Sequence, residues 1–156
     1  MAGSISTKGR YALRVMADIA VSQGSCEWVS LGDISKRQGI SRKYLEQVMA
    51  SLHKAGFVMS QRGKGGGYRL RRAPEDYTLG EIIRAAEGSS LAPVACLDCS
   101  SGTLCPRSSS CPTQPVWQEL GALISHYLDG RHLSDIVDGM GKDGTDALAG
   151  IEGLCK

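Results

Sequence analysis

Four cysteines lie within a span of sixteen residues, at Cys96, Cys99, Cys105 and Cys111. The surrounding segment, residues 89–114, is rich in Ser, Pro and Gly, so it cannot bury enough apolar surface to order itself. Clustered thiolates bind zinc ions and iron–sulfur clusters, and a bound metal would hold such a segment in place. The residue types therefore predict a metal-binding loop.

The spacing of these cysteines leaves the metal open. Cys99, Cys105 and Cys111 are separated by two gaps of five residues, and loops of that length close around a compact inorganic core at small entropic cost. Cys96 lies three residues before Cys99 and is a fourth thiol at ligand spacing. Thiolates suit iron–sulfur clusters and zinc alike, and a thiol switch that forms a disulfide within the loop is a third reading.

The charge of the chain is unevenly distributed. Residues 1–72 carry 13 Lys and Arg against 4 Asp and Glu, a net +9, whereas residues 73–156 carry 5 against 12, a net −7. This asymmetry predicts a surface for a polyanion in the first half. No His/Asp or His/Cys constellation for catalysis is apparent, so we expect a binding protein and not an enzyme.

The chain shows no sign of export or membrane insertion. Its start lacks a basic segment followed by an apolar run, and no stretch approaches the ~18 apolar residues of a membrane span. We therefore expect a cytoplasmic protein without a membrane partner. Disulfides rarely persist in that compartment, so six cysteines favour metal or redox chemistry over structural disulfides.

The elements around the basic half form a recognisable order. Apolar residues at helical spacing predict helices over Thr7–Ser22, over Leu31–Gln38 and after Ser41, and Gly-rich Arg62–Gly67 separates predicted strands Phe57–Gln61 and Tyr68–Arg71. Helix, short helix, tight turn, helix and basic hairpin predict a mainly α fold with a small β-hairpin wing, a winged helix-turn-helix.

The third helix is the predicted DNA reader. With its apolar stripe inward, Arg42 and Lys43 suit phosphates or guanine edges, and Gln47 suits adenine. Glu46 would repel phosphate but accepts from cytosine N4. Tyr44 starts the apolar stripe. A solvated helix face is the alternative for any one of these residues, but the charge asymmetry favours DNA binding for the set.

The hairpin turn carries the predicted wing contacts. Arg62 and Lys64 lie at its tip, where they would reach the minor groove or phosphates. Gly65 and Gly66, followed by a third glycine, permit backbone conformations closed to other residues. A nucleotide-binding P-loop is excluded because no Gly-Lys-Ser/Thr ending and no helix follow directly. A plain tight hairpin is the remaining alternative.

The second half predicts a dimerisation element. Thr78 and Glu81 suit a capping box for a helix through Ala86. Pro115 opens a long C-terminal helix with an apolar face and little chain to pack against, which favours a homodimer. Its apolar residues are Trp117, Leu120, Ile124, Tyr127 and Leu128. We predict a winged-helix domain over 1–74, the cysteine loop and dimerisation helix over 75–138, and a flexible tail over 139–156.

Three segments resemble one known family, the Rrf-type winged-helix regulators. They are STKGRYALRVMADIA, ISKRQGISRKYLEQVMASLHKAGFV and RGKGGGYRL, and the likeness runs from Ser6 to Val137. Members of the family include an iron–sulfur-cluster regulator, a nitric-oxide sensor and a cysteine-metabolism regulator. The resemblance implies a homodimeric repressor or activator that binds a double-stranded DNA operator. It also implies base reading by Tyr44, Glu46 and Gln47 and a wing contact by Arg62.

The same resemblance bears on the cysteine loop. The spacing of Cys99, Cys105 and Cys111 is similar to that of the cluster-binding members, which implies an iron–sulfur cluster, 2Fe–2S in preference to 4Fe–4S. The iron–sulfur-cluster regulator has a histidine three residues after its last cysteine, where this chain has Gln114. We therefore hypothesise that Cys96 is the fourth ligand. A ligand from the partner subunit is the competing hypothesis.

The function we expect is a regulator whose operator affinity depends on this cluster, which would sense redox state, nitric oxide or cluster supply. The alternatives are a zinc- or thiol-switch regulator without a cluster, and a cysteine-metabolism-type regulator that acts with a protein partner.

Overall fold

The computed structural model describes residues 5–25, 27–88, 91–98 and 105–141. Its elements, in chain order, are α1 (Thr7–Ser22), α2 (Leu31–Gln38), α3 (Arg42–Lys54), β1 (Val58–Gln61), β2 (Gly67–Leu70), α4 (Leu79–Glu87), α5 (Gln114–Asp129) and α6 (Leu133–Gly141). Two short 3-10 turns, Pro74–Asp76 and Ala95–Leu97, precede α4 and α5. The predicted fold class, mainly α with a β-hairpin wing, is confirmed.

Local signals define the ends of the first three helices. Ser6, Ser30 and Ser41 have extended backbones, and each side-chain oxygen accepts a hydrogen bond from an N–H of the following turn at 3.0–3.4 Å. These bonds satisfy donors that a helix cannot satisfy itself. Gly39 ends α2 in the left-handed conformation, with φ of 64°. The predicted bounds of α1 and α2 are therefore confirmed.

The hairpin is antiparallel, with Val58 opposite Leu70. Each strand lies within one residue of its predicted range. The sequence pattern did not reveal a third backbone segment, in which Val29 exchanges two hydrogen bonds of 2.8 and 2.9 Å with Tyr68 of β2. Gly67 makes this approach possible, because a Cβ there would overlap the Val29 carbonyl.

One hydrophobic core joins the two halves of the chain. Ile19 of α1 and Leu45 of α3 pack in the same cluster as Ile82 of α4 and Leu133 of α6, all fully buried. Residues on both sides of position 74 therefore share one core. The predicted domain division at that position stays a prediction.

Helix α5 lies outside this core. None of its residues is buried, and it begins at Gln114, one residue before the predicted start. Val116, Leu123 and Tyr127 are each 60–61% exposed, and Leu120 is 39% exposed. These four residues, spaced four, three and four positions apart, form an exposed stripe along one side of the helix. The predicted apolar face therefore divides into this stripe and a half-buried side.

Two details of the second half differ from expectation: the capping box of α4 is incomplete, and α6 extends into the predicted tail. Thr78 caps α4 by accepting from the Glu81 N–H at 3.2 Å, as predicted. The Glu81 carboxylate does not complete the capping box, because Arg72 donates to it at 2.7 Å. Helix α6 runs to Gly141, three residues into the predicted tail, and residues 142–156 lie outside the described residues.

Candidate nucleic-acid interface and cysteine segment

Helix α3 and the hairpin flank an open groove of about 800 Å³, and the start of α2 also lines it. The charged side chains that line it are Arg42, Glu46, Lys54 and Arg62, and His53 lies among them. Three cations against one carboxylate make a groove that attracts a polyanion. The fold therefore brings the predicted reading helix and the predicted wing to one surface.

The predicted α3 residues divide between two directions. Arg42 and Glu46 are exposed and line the groove toward the wing. Lys43 and Gln47 are also exposed but do not line the groove. Tyr44 is half-buried, and its ring meets that of Tyr11 edge to face, with centroids 5.6 Å apart. This aromatic pair holds the start of α3 against α1.

The wing tip carries its two cations outward. Arg62, Lys64 and Gly65 are exposed, and Gly66 is half-buried. Gly65 has a φ of 82°, which side chains disfavour. A Cβ on Gly66 would overlap the carbonyl of Gln61, so this position also requires glycine. The glycines therefore allow a tight turn that presents Arg62 and Lys64 to solvent.

His53, which the sequence pattern does not single out, is exposed in the groove. It lies on the same side of α3 as Glu46 and Arg42, at spacings of seven and eleven residues. That spacing was visible in the sequence. The missing information was which side of α3 the wing would cover, and the tertiary packing decides this.

A buried carboxylate positions the turn before α3. Asp18 of α1 is 4% exposed and pairs with Arg37 of α2 at 2.6 Å. Gln38 donates to Asp18 at 2.7 Å, and its backbone carbonyl accepts from Arg14 at 2.7 Å. These contacts fasten the last turn of α2 to α1. They therefore place Gly39 and the start of α3.

The described cysteines are free thiols. Cys96 is exposed, Cys105 and Cys111 are half-buried, and Cys99 lies outside the described residues, as do the isolated Cys26 and Cys155. The Cys111 thiol lies 3.4 Å from the Thr113 hydroxyl. This hydrogen bond, followed by the backbone N–H groups of Thr113 and Gln114, lowers the pKa of Cys111. A lowered pKa favours the thiolate, which is the metal-binding form.

Cys96 and Gln114 line one cavity of about 390 Å³ between the cysteine segment and α5. Cys96, the hypothesised fourth ligand, thus lines the same cavity as Gln114, which stands where the iron–sulfur-cluster regulator has a histidine. The donor chemistry fits a cluster or zinc, because the described thiols are free and soft ligands. Within the described ranges no three His, Cys, Asp or Glu side chains gather closely enough to hold a metal, and Cys99 is not among those residues.

Among the helices that the structure describes, none has the length and apolar character of a membrane-spanning segment.

Comparison with known proteins identifies the family to which this fold belongs. Residues 5–139 match the Rrf2 family, described as iron-dependent transcriptional regulators. The chain is 41% identical over 133 residues to the HTH-type transcriptional regulator IscR of Aliivibrio salmonicida, across 85% of this chain and 76% of that protein.

Two solved structures share the fold at substantial identity. T. potens IscR matches with a TM-score of 0.68 and 39% identity, across 94% of this chain and 92% of its own. CymR, the global cysteine regulator of B. subtilis, matches with a TM-score of 0.70 and 34% identity, across 85% and 95%. The family match and these likenesses agree with the winged helix and its basic groove. The chain therefore belongs to the Rrf2 family and is a DNA-binding transcriptional regulator of the IscR type.

Proposed function

We propose that this regulator binds a double-stranded DNA operator as a homodimer, and that an iron–sulfur cluster in the cysteine segment controls its affinity. The observation that supports operator binding is the basic groove between α3 and the wing. The proposed base readers are Tyr44, Glu46 and Gln47. The proposed phosphate and groove contacts are Arg42, Lys43, Arg62, Lys64, Gly65 and Gly66.

The exposed stripe on α5 supports the homodimer. Large apolar side chains that stay in water on one side of a helix are typical of a protein interface. Helix-turn-helix proteins commonly pair to match two half-sites of an operator. Leu123→Glu should therefore yield a monomer by sedimentation velocity. Ala122→Glu places the same charge on an exposed position outside the stripe, and it should leave the dimer intact.

For the cluster, we propose Cys99, Cys105 and Cys111 as ligands and Cys96 as the fourth. Support comes from the IscR relatives, the free thiols, the lowered pKa of Cys111 and the cavity shared by Cys96 and Gln114. A 2Fe–2S cluster bound there would supply a centre that responds to oxidation state, nitric oxide or cluster supply. Cys111 lies three residues before α5 begins, so rearrangement of the segment is passed directly to the dimerisation helix.

Anaerobic purification with absorption spectroscopy, iron and sulfide analysis tests the cluster. Equal iron and sulfide with a visible absorption band support it, and the absence of both after reconstitution rejects it. Zinc at one ion per chain would support the zinc-switch alternative instead. Cys96→Ser should lower cluster yield and alter the spectrum, and an unchanged yield and spectrum would reject Cys96 as a ligand in favour of one from the partner subunit.

Likeness to CymR favours one second candidate, a cysteine-responsive regulator that acts with a protein partner. Such a protein would bind its operator without metal. Operator affinity measured with and without metal separates the two, because only the first proposal requires the two values to differ. In both cases the site of action would be the cytoplasm, where the thiols stay reduced.

A further inference from the structure

Tyr77 is fully buried at the base of the wing. Its hydroxyl donates to the carbonyl of Phe57 at 2.7 Å and accepts from the N–H groups of Arg71 and Arg72 at 3.0 and 2.8 Å. Phe57 precedes β1, and the two arginines follow β2. The hydroxyl therefore bonds to both ends of the hairpin, which a direct bond from the Arg71 N–H to the Phe57 carbonyl at 3.1 Å also joins.

The main chain of Tyr77 is held from the opposite side. Its carbonyl accepts from the Leu133 N–H at 2.9 Å, at the start of α6. Two residues on, the Leu79 N–H donates to the carbonyl of Arg131 at 2.9 Å. Arg131 lies between α5 and α6. Tyr77 thus joins the wing, through its side chain, to the turn that follows α5, through its backbone.

An ion pair fastens α5 itself to this junction. Arg84 of α4 and Asp129, the last residue of α5, form two hydrogen bonds of 2.7 Å. This bond lowers the pKa of Asp129, and it raises the pKa of Arg84. Gly80 lies directly beneath the ion pair. A Cβ at this position would overlap the Asp129 carboxylate, so the close approach requires glycine. The C-terminal end of α5 is therefore held on α4 within a few residues of Tyr77.

Arg72 closes the junction on the wing side. Its guanidinium stacks over the Tyr77 ring at 4.3 Å and over the Phe57 ring at 5.3 Å, and it pairs with Glu81 of α4 at 2.7 Å. The chain leaving β2 is thereby held against α4. A planar guanidinium that stacks and pairs at once restricts both position and orientation.

We propose that Tyr77 is a positioning residue for DNA binding, which makes the placement of Arg62 in the wing depend on the placement of α5. Helix α5 has sixteen residues, with Cys111 just before its N-terminal end and the Tyr77 junction at its C-terminal end. A helix of that length is a stiff rod of about 24 Å. This inference rests on the proposed function and adds a physical route from the cysteine segment to the wing.

The first test needs no DNA. Tyr77→Phe keeps the ring and removes the hydroxyl, so the Arg72 N–H loses its acceptor. In the full chain, amide hydrogen exchange of the hairpin should quicken by about tenfold while α1 and α3 keep their rates. As a control, Tyr11→Phe deletes a tyrosine hydroxyl for which the described residues provide no hydrogen bond. It should leave the exchange rates of the hairpin and of α1 and α3 unchanged. Unaltered hairpin exchange in Tyr77→Phe would overturn the proposal.

If Tyr77→Phe does not fold, Asp129→Asn replaces it, because this change weakens the ion pair at a partly exposed site. Faster hairpin exchange in that variant supports the proposal, and unchanged exchange overturns it.

The second test is a double-mutant cycle on operator binding. The probe is a duplex selected from a random-sequence pool by the wild-type protein. In the wild-type background, Arg62→Ala should weaken operator binding by about tenfold. In the Tyr77→Phe background, the same substitution should weaken binding by less than about threefold, because a loose wing no longer presents Arg62. Additive effects would overturn the role of Tyr77. Failure of the wild type to select any duplex would instead refute the proposed function, while the exchange experiment still tests Tyr77.

Discussion

The wing arginine provides a quantitative test of the groove as a phosphate-binding surface. Five Lys and Arg side chains lie exposed on α3 and the wing tip of one protomer: Arg42, Lys43, Lys54, Arg62 and Lys64. A dimer would present ten. If each neutralises one phosphate, the logarithm of the affinity falls with the logarithm of salt concentration with a slope of about −9.

Arg62→Ala removes one such contact from each protomer. The slope should therefore become shallower by about 2, since each contact contributes about 0.9. Over a fourfold salt range, from about 50 to 200 mM, this change means that the affinity loss is about tenfold larger at the low-salt end. The effect follows from the release of condensed counterions and does not depend on the operator sequence.

Fluorescence anisotropy of a labelled duplex at five salt concentrations measures both slopes. Arg107→Ala removes an equal charge from an exposed position in the cysteine segment, so its slope should equal that of the wild type. Parallel lines for Arg62→Ala and the wild type would show that the wing does not contact phosphate, and the assignment of Arg62 would be withdrawn.

Three further outcomes follow from local contacts. Asp18→Ala should lower the free energy of unfolding in urea by about 2–3 kcal/mol, because Arg37 and Gln38 lose the buried carboxylate that fastens the last turn of α2 to α1; a loss below about 0.5 kcal/mol would contradict the role given to these contacts. Thr113→Val should raise the pKa of Cys111 and slow its alkylation at neutral pH, with Cys105 as the internal reference by mass spectrometry; equal rates in both proteins would show that the hydroxyl has no effect. Gly67→Ala should cost about 2–4 kcal/mol of stability, since its methyl group meets a backbone carbonyl that cannot move aside, and a wild-type urea midpoint would refute that steric argument.

Local signals accounted for most of the elements. Helices α1 and α2 begin and end where the sequence predicts. A serine cap begins each of them, and Gly39 ends α2 in the left-handed conformation, and both signals act within one turn of the chain. The hairpin was predictable for a similar reason, since consecutive glycines between short apolar runs favour a tight turn. Strand ends differed by one residue, as expected where pairing and not the residue type decides the last hydrogen bond.

Contacts between distant segments were not predictable. A single backbone pair at Val29 has no alternating pattern to announce it, and Glu81 completes an ion pair with Arg72 instead of its own capping box. No local pattern distinguishes Tyr77, which lies between a turn and a helix. Its role depends on three backbone groups that lie five to twenty residues away, and their approach is decided by packing.

By itself, the sequence determined the helical order, the basic first half and the clustered thiols, because caps, periodicity and charge are properties of neighbouring residues. It also determined which side chains of α3 face away from the core, through the 3.6-residue period. Only the tertiary structure decided that α3 and the wing share one groove, that α4 and α6 complete the core around α1 and α3, and that Tyr77 joins the wing to the end of α5. These relations depend on hydrogen bonds and buried surface between segments far apart in the chain, whose geometry no local pattern encodes.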